Sequence, residues 1–286
     1  MNTLKQHINL NGAFYDIQNP VLSHLNRGFL YGDALFETMH ANGTQIQFFD
    51  DHIERLMDGM KKLKMIIPEE FITKAIGKQI VKLLRKNRHL KGARVRLTVF
   101  RNEGGKYTPQ TNEVSYLIES EKLPSYQYEL NKKGLQIDLF NELRKPINYL
   151  SNLKTTNDLL YVLAGNFKKE NELDECILIN QNNEVCEAIS SNLFIVKDEI
   201  IKTPPLRSGC LNGIMRKKII SFAKEMGFKL SVNHAIAPQE LLDCDEIFLT
   251  NAIKGIQWVS GFRQKRFYKT TANKLIQKLN AETALE

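Results

Sequence analysis

Asn42-Gly43 stands between two apolar runs, Ala34-Leu35-Phe36-Glu37-Thr38-Met39-His40 before it and Gln45-Ile46-Gln47-Phe48-Phe49 after it. Asn-Gly supplies the two positive-φ residues of a type I′ turn, so this stretch predicts an antiparallel hairpin rather than a helical crossover. Asp50 or Asp51 is then placed to cap a helix whose apolar stripe is Ile53, Leu56, Met60 and Leu63. A second helix is expected over 69–86, and strands over 93–100 and 114–119 flank the polar loop 102–107. Farther on, strands are expected at 134–140, 176–180, 184–189, 193–196 and 246–250, and helices over 157–170, 214–226 and 272–279. No regular βαβ alternation appears. The pattern predicts an α+β fold, with a mixed sheet or barrel in the second half. The polar stretch 121–133, containing Pro124, is expected to link an N-terminal domain (1–120) to a C-terminal one (134–286).

At 286 residues, with 42% hydrophobic and 25% charged, the chain can bury a substantial core. No apolar run approaches the roughly 20 residues of a membrane span, and Met1–His7 lacks the apolar core of a signal peptide. A cytoplasmic protein without membrane partners is expected. Cys176, Cys186, Cys210 and Cys244 form no C-x-x-C pair and show no metal-site spacing with the six histidines, so free buried thiols and no metal are expected. The net charge of +8 is scattered rather than gathered into a nucleic-acid motif. It is read as a solvated basic surface that helps attract an anionic substrate, with no nucleic-acid partner.

Four features carry candidate chemistry. Lys154 lies in Ser151-Asn152-Leu153-Lys154-Thr155-Thr156-Asn157, at an expected helix start; taken alone, it is one cation among 40 Lys and Arg. Arg55 points away from Ile53, Leu56 and Met60 on a helical wheel, which suits either solvent or an anion held by its guanidinium fork. Glu187, after Val185 and Cys186 in a half-buried strand, needs a partner, either a structural cation or a ligand's N–H. Gly213 opens a helix whose first N–H groups, at Ile214 and Met215, could bind phosphate or be an ordinary helix cap. An amine, a carboxylate, a guanidinium and a helix N-terminus are together what pyridoxal phosphate requires.

The runs Arg27-Gly28-Phe29-Leu30-Tyr31-Gly32-Asp33-Ala34-Leu35-Phe36-Glu37-Thr38, His52-Ile53-Glu54-Arg55-Leu56, Leu153-Lys154, Glu187 with Ser191-Asn192-Leu193-Phe194, Leu211-Asn212-Gly213-Ile214-Met215-Arg216 and Phe248-Leu249-Thr250-Asn251-Ala252 occur in the order of the class IV aminotransferases, the fold-type IV pyridoxal-phosphate enzymes. The chain resembles that family from about residue 19 to 259. The resemblance implies a smaller α+β domain and a larger barrel-like one with the cofactor between them, and a homodimer. By resemblance, Lys154 is the Schiff-base lysine, Glu187 the partner of the pyridine nitrogen and Arg55 the phosphate arginine. Ile214 and Met215 match the phosphate-binding helix start, and Thr250, Asn251 and Ala252 a loop beside the phosphate. Met215 and Ala252 stand where many members have Thr, which removes two hydroxyls. Tyr31 is expected in the substrate pocket, contributed across the dimer.

Within the family, branched-chain aminotransferases usually carry a Tyr shortly after the lysine; Asp158 is matched to that position here. Thr38 stands where those enzymes tend to have Gly, and where 4-amino-4-deoxychorismate lyases place a threonine associated with proton transfer. The resemblance therefore implies a lyase making 4-aminobenzoate and pyruvate for folate synthesis, with Arg101 or Lys106 as ligands for substrate carboxylates. A transaminase of D-amino acids, or of branched or aromatic L-amino acids, is the alternative.

Overall fold

The computed structural model describes residues 6–284; most of the N-terminal stretch read for a signal sequence, 1–5, lies outside them. The chain folds into two compact units. One runs through Gln127 and includes Lys154–Asn157; the other comprises Tyr128–Leu153 and Asp158–Ala284.

The first unit contains strands β1 (His7–Leu10), β2 (Ala13–Asp16), β3 (Ala34–Asn42), β4 (Gln45–Ile46), β5 (Gly92–Arg101) and β6 (Val114–Leu123). Its helices are α1 (Arg27–Tyr31), α2 (Phe49–Lys62), α3 (Glu69–Ile72) and α4 (Ile76–Lys86). The strands form one sheet in the order β2-β1-β6-β5-β3-β4. The expected hairpin forms, but its turn lies one residue on: Asn42 is the last residue of β3 and pairs with Gln45, and only Gly43 of the turn has a positive φ, so the type I′ turn centred on Asn42-Gly43 is corrected. β4 is shorter than expected because Phe48 takes a left-handed conformation and α2 starts at Phe49. Asp50 and Asp51 accordingly occupy the first helical turn, where their charge favours the helix dipole, instead of the cap. The expected helix over 69–86 breaks at Lys74, which has φ 58°, leaving α3 and α4. β6 continues to Leu123, so residues 121–123 of the expected linker belong to the sheet.

Strand alternation gives this sheet two unlike faces. Leu35, Glu37 and Met39 of β3, with Val95, Leu97 and Val99 of β5, are buried. α2 covers this face: Leu35 approaches Gly59 so closely that a Cβ there would lie 2.9 Å from Leu35 Cδ1. The other face presents Phe36, Thr38, Arg96 and Thr98, with Thr38 directly opposite Arg96.

The second unit holds β7 (Leu135–Lys145), β8 (Glu175–Asn180), β9 (Val185–Ala188), β10 (Asn192–Lys197), β11 (Ile200–Lys202), β12 (Lys229–Ser231), β13 (Glu246–Asn251), β14 (Gly255–Phe262) and β15 (Lys265–Arg266). Its helices are α5 (Leu159–Glu170), α6 (Ile214–Glu225), α7 (Glu240–Asp243) and α8 (Thr270–Glu282). The sheet is mixed, ordered β12-β11-β10-β13-β14-β7-β8-β9 with β15 on β14; the pairs β11–β12, β14–β7 and β7–β8 are parallel. Ile137, Ile177, Leu193, Ile247, Leu249 and Val259 form the centre of its core. A helix on one side of each buried strand would not produce this pattern; both the mixed pairing and the separate antiparallel sheet are α+β, as expected. All four cysteines are buried and free, and burial pushes their thiols up, Cys176 and Cys244 to about 12 and Cys210 to about 11. Among the described residues, no helix is long and apolar enough to cross a membrane and no group of side chains could hold a metal ion.

Candidate active site

Lys154 does not open a helix. α5 begins at Leu159, and Lys154 lies in an extended segment against the start of β3. The Phe36 N–H donates to the Lys154 carbonyl at 3.0 Å, and the Thr156 N–H donates to the Ala34 carbonyl at 3.1 Å. Asn157 Nδ2 donates to the Gly32 carbonyl at 2.9 Å. Gly32 has φ 63°, and a Cβ on it would lie 2.6 Å from Asn157 Oδ1, so the conformation and the close approach both require glycine. This backbone pairing aims Lys154 Nζ at the ring of Phe36, 4.2 Å from its centroid. The Arg96 guanidinium lies 3.9 Å from the same centroid. Lys154, Phe36, Thr38 and Arg96 thus share one region of the sheet: an amine and a guanidinium over one aromatic ring, with a hydroxyl on the same face of the sheet; Arg96 Nε also donates to Thr98 Oγ1 at 3.2 Å.

Arg55 reaches β3 from the opposite face. Its Nε donates to Glu37 Oε1 at 2.7 Å and its Nη2 to Glu37 Oε2 at 2.5 Å. His52 Nδ1 lies 2.6 Å from Glu37 Oε2 and must be the donor, because a carboxylate only accepts. Burial alone would raise the Glu37 pKa, but Arg55 and His52 outweigh it and hold it at about 2. Burial lowers the pKa of His52, against the pull of Glu37. The helical wheel that set Arg55 apart from the apolar stripe is explained by this buried pair, and the bidentate bond fixes the plane of the guanidinium.

Arg101 is not available to a substrate. It is 6% exposed, and it donates to Asp33 Oδ2 at 2.9 Å, Asn112 Oδ1 at 2.6 Å and the Leu63 carbonyl at 2.7 Å. The expectation of a carboxylate ligand there is corrected, because the guanidinium is consumed in holding β5 to its neighbours. Lys106 has an exposed side chain, while its carbonyl accepts from Arg27 Nη1 at 2.7 Å. Tyr31, at the end of α1, is half-buried beneath the Arg27 guanidinium and 5.8 Å from the ring of Tyr107.

The second unit holds the other predicted residues. Glu187, on β9, is 3% exposed. Its Oε1 accepts from Tyr161 Oη at 2.7 Å and from Lys145 Nζ, and its Oε2 accepts from the Leu211 N–H at 2.8 Å. Burial works against the charge of Lys145, but Glu187 outweighs it and keeps the lysine pKa above its ordinary value. Lys145 and Tyr161 were not anticipated. Lys145 follows four exposed residues in what looks like a polar loop, and a register shift between Phe140 and Lys145 turns it inward. Alternation within β3 and β5 would have singled out Arg96, which shares a face with Thr38.

Gly213 is the N-cap of α6 and carries no side-chain cap, so the N–H groups of Ile214 and Met215 have no partner within the helix. Asn192 Nδ2 donates to the Leu211 carbonyl at 2.9 Å, and a Cβ on Gly213 would lie 1.9 Å from Asn192 Oδ1. Asn192 pairs with Thr250 across β10 and β13. The Thr250 hydroxyl is buried with no hydrogen-bond partner, an arrangement that costs about 1–3 kcal/mol unless a ligand supplies one. Asn251 Nδ2 donates to Ser191 Oγ at 3.0 Å, while its Oδ1 closes a turn by accepting from the N–H groups of Ile253 and Lys254. The Ala252 carbonyl accepts from Tyr128 Oη at 3.1 Å. An uncapped helix start beside an orphaned hydroxyl is suited to an anion such as phosphate.

Comparison with known proteins settles the family. The amino-transferase class IV model matches residues 34–262. The chain belongs to the class IV aminotransferase family. A putative branched-chain-amino-acid aminotransferase of Methanocaldococcus jannaschii is 31% identical, over 85% of this chain and 83% of that protein. An aminodeoxychorismate lyase of Bacillus subtilis is 30% identical, over 86% and 83%. Among solved structures, a branched-chain aminotransferase from Thermoproteus uzoniensis superposes with a TM-score of 0.88 at 22% identity, covering 98% of this chain and 95% of that one. A putative 4-amino-4-deoxychorismate lyase from Legionella pneumophila gives 0.84 at 24%, covering 93% and 97%. Family members are pyridoxal-phosphate enzymes, and the carboxylate at Glu187, the α6 start and the Thr250 hydroxyl are chemically suited to that cofactor.

Proposed function

We propose that this class IV aminotransferase is an aminodeoxychorismate lyase, converting 4-amino-4-deoxychorismate to 4-aminobenzoate and pyruvate. The observation that carries the reading is the position of Thr38: its side chain projects from the β3 face that bears Phe36, over whose ring Lys154 Nζ lies, and Thr38 is paired with Arg96. Bound pyridoxal phosphate supplies an aldehyde for the substrate amine and a ring that withdraws electrons from the carbon bearing it. Lys154 Nζ is assigned the cofactor linkage and then removal of the proton from that ring carbon. Thr38 Oγ1 is assigned delivery of a proton to the methylene carbon of the departing enolpyruvyl group, which leaves as pyruvate while the ring becomes aromatic; the proton that Lys154 Nζ took up then restores the Thr38 hydroxyl. Arg96 takes the place first given to Arg101 as a carboxylate ligand; its guanidinium is half-buried and held by Phe36. Arg55, Gly213, Ile214, Met215, Thr250, Asn251 and Ala252 are assigned to the phosphate end, and Glu187 to the ring nitrogen.

The decisive assay incubates purified protein with aminodeoxychorismate. 4-Aminobenzoate should form, and Lys154→Ala should abolish it together with borohydride trapping of the cofactor. Thr38→Val should retain trapping and lose about 100-fold in turnover, the scale of one positioned acid. No 4-aminobenzoate above the Lys154→Ala background sinks the lyase reading. An amino-acid panel with 2-oxoglutarate or pyruvate tests the second reading, a transaminase, which the branched-chain names of several relatives favour. We further infer a cytoplasmic homodimer acting in folate synthesis; exposed apolar side chains on α5 support the dimer.

A further inference from the structure

The carboxylate of Glu187 is more heavily engaged than a single ring-nitrogen contact requires. It offers about four lone-pair positions. Lys145 and Tyr161 fill the two on Oε1, and the Leu211 N–H takes one on Oε2. One acceptor position remains, on Oε2. Lys145 is 5% exposed, a burial that lysine adopts almost only when paired, and it is brought there by the register shift at the end of β7.

We propose that Lys145, supported by Tyr161, is a positioning residue that confines the cofactor's ring nitrogen to Glu187 Oε2 and lowers its affinity for a proton. This rests on the assignment of Glu187 to that nitrogen. The carboxylate is already neutralised by an ammonium, so a second cation on its other oxygen gains less attraction and meets the repulsion of Lys145. Tyr161 acts in the same direction more weakly, because its hydroxyl draws charge from Oε1. The other titratable groups around the cluster are Cys186 beside Glu187, Cys210 on the loop before α6, Arg216 of α6, Glu184 near Cys186, and Asp158 near Tyr161. Both thiols hold their protons through the neutral range, since burial pushes Cys210 to about 11 and Cys186 well above its ordinary value. Of the three groups that bond to Glu187, Lys145 alone is an ion, so its removal changes the charge in contact with the carboxylate.

The test uses holoenzyme loaded with ring-15N pyridoxal phosphate, following the ring-nitrogen chemical shift against pH together with the visible absorption band. Lys145→Met should move the ring-nitrogen midpoint upward by about one pH unit or more. Lys145→Arg should restore the wild-type midpoint, and Tyr161→Phe should move it the same way by a smaller amount. A Lys145→Met holoenzyme that titrates like wild type overturns the proposal. Should Lys145→Met not fold, Tyr161→Phe decides, and an unchanged midpoint there overturns it equally. Glu187→Gln separates the two levels: no change in that variant removes the assignment of Glu187, whereas a change there with none at Lys145 removes only the present proposal.

Discussion

Glu37 shows how much one buried carboxylate can organise. It receives two bonds from Arg55 and one from His52, and its pKa is held at about 2 by these neighbours against its own burial. The sign of its contribution follows: a carboxylate whose folded pKa is depressed stabilises the fold above its unfolded value of about 4.5, and that stability is lost as pH falls toward 2. The depression corresponds to about 3 kcal/mol. His52 acts in the same direction at higher pH, because its lowered pKa makes its protonation favour the unfolded chain below its ordinary value. Glu37→Gln leaves Arg55 and His52 buried without their carboxylate and should cost about 3–5 kcal/mol at pH 7. The variant should also lose less stability than wild type between pH 4.5 and 2, as read by urea unfolding at each pH. Parallel acid limbs in the two proteins would show that Glu37 carries no such linkage.

At the scale of elements, the start of α6 depends on a single missing Cβ. Gly213 has an ordinary φ of −67°, so its requirement is space: a Cβ there would meet Asn192 Oδ1 at 1.9 Å. Gly213→Ala should push Asn192 off the Leu211 carbonyl, cost about 1–3 kcal/mol and weaken cofactor binding by at least about tenfold, measured by fluorescence on adding pyridoxal phosphate to apoenzyme. Unchanged affinity would detach this helix start from the phosphate. The order of the motif blocks singled out Gly213, Lys154, Glu187 and Arg55 as candidates, and the structure places Arg55 and Lys154 in one unit and Glu187 and Gly213 in the other. The hairpin after β3 was legible from its local turn signal, though its turn is Gly43-Thr44 rather than Asn42-Gly43. What the sequence concealed depends on pairing between distant segments. Lys145 looks like the end of a polar loop until β8 sets its register, and Lys154 looks like a helix start until β3 captures its carbonyl. Lys74 breaks the 69–86 helix although the glycine of that stretch, Gly77, lies three residues farther on, inside α4. Arg101 and Arg96 lie on the same strand, five residues apart and on opposite faces, so choosing between them required knowing which face α2 covers.

For the whole molecule, the surface of α5 bears on assembly. Leu159, Val162 and Leu163 are 73%, 56% and 39% exposed at helical spacing, and Tyr149 and Leu150 of the same unit are 67% and 44% exposed. An apolar helix stripe in water is unfavourable by about 25 cal/mol for each Å² it could bury, and contiguous patches of this kind mark association surfaces. The homodimer proposed above would seat a second copy of the chain on this surface. The stripe lies on the helix whose first turn delivers Tyr161 to Glu187, so loss of the contact should reach the cofactor as well as the oligomeric state. Leu159→Lys with Val162→Lys, both on the exposed side, should shift the sedimentation coefficient from dimer to monomer at micromolar concentration. The monomer should keep its far-ultraviolet circular dichroism and lose cofactor affinity several-fold. A double variant that still sediments as the wild-type dimer would place the interface elsewhere. A wild-type chain that sediments as a monomer would leave the exposed stripe without its partner and remove the dimer altogether.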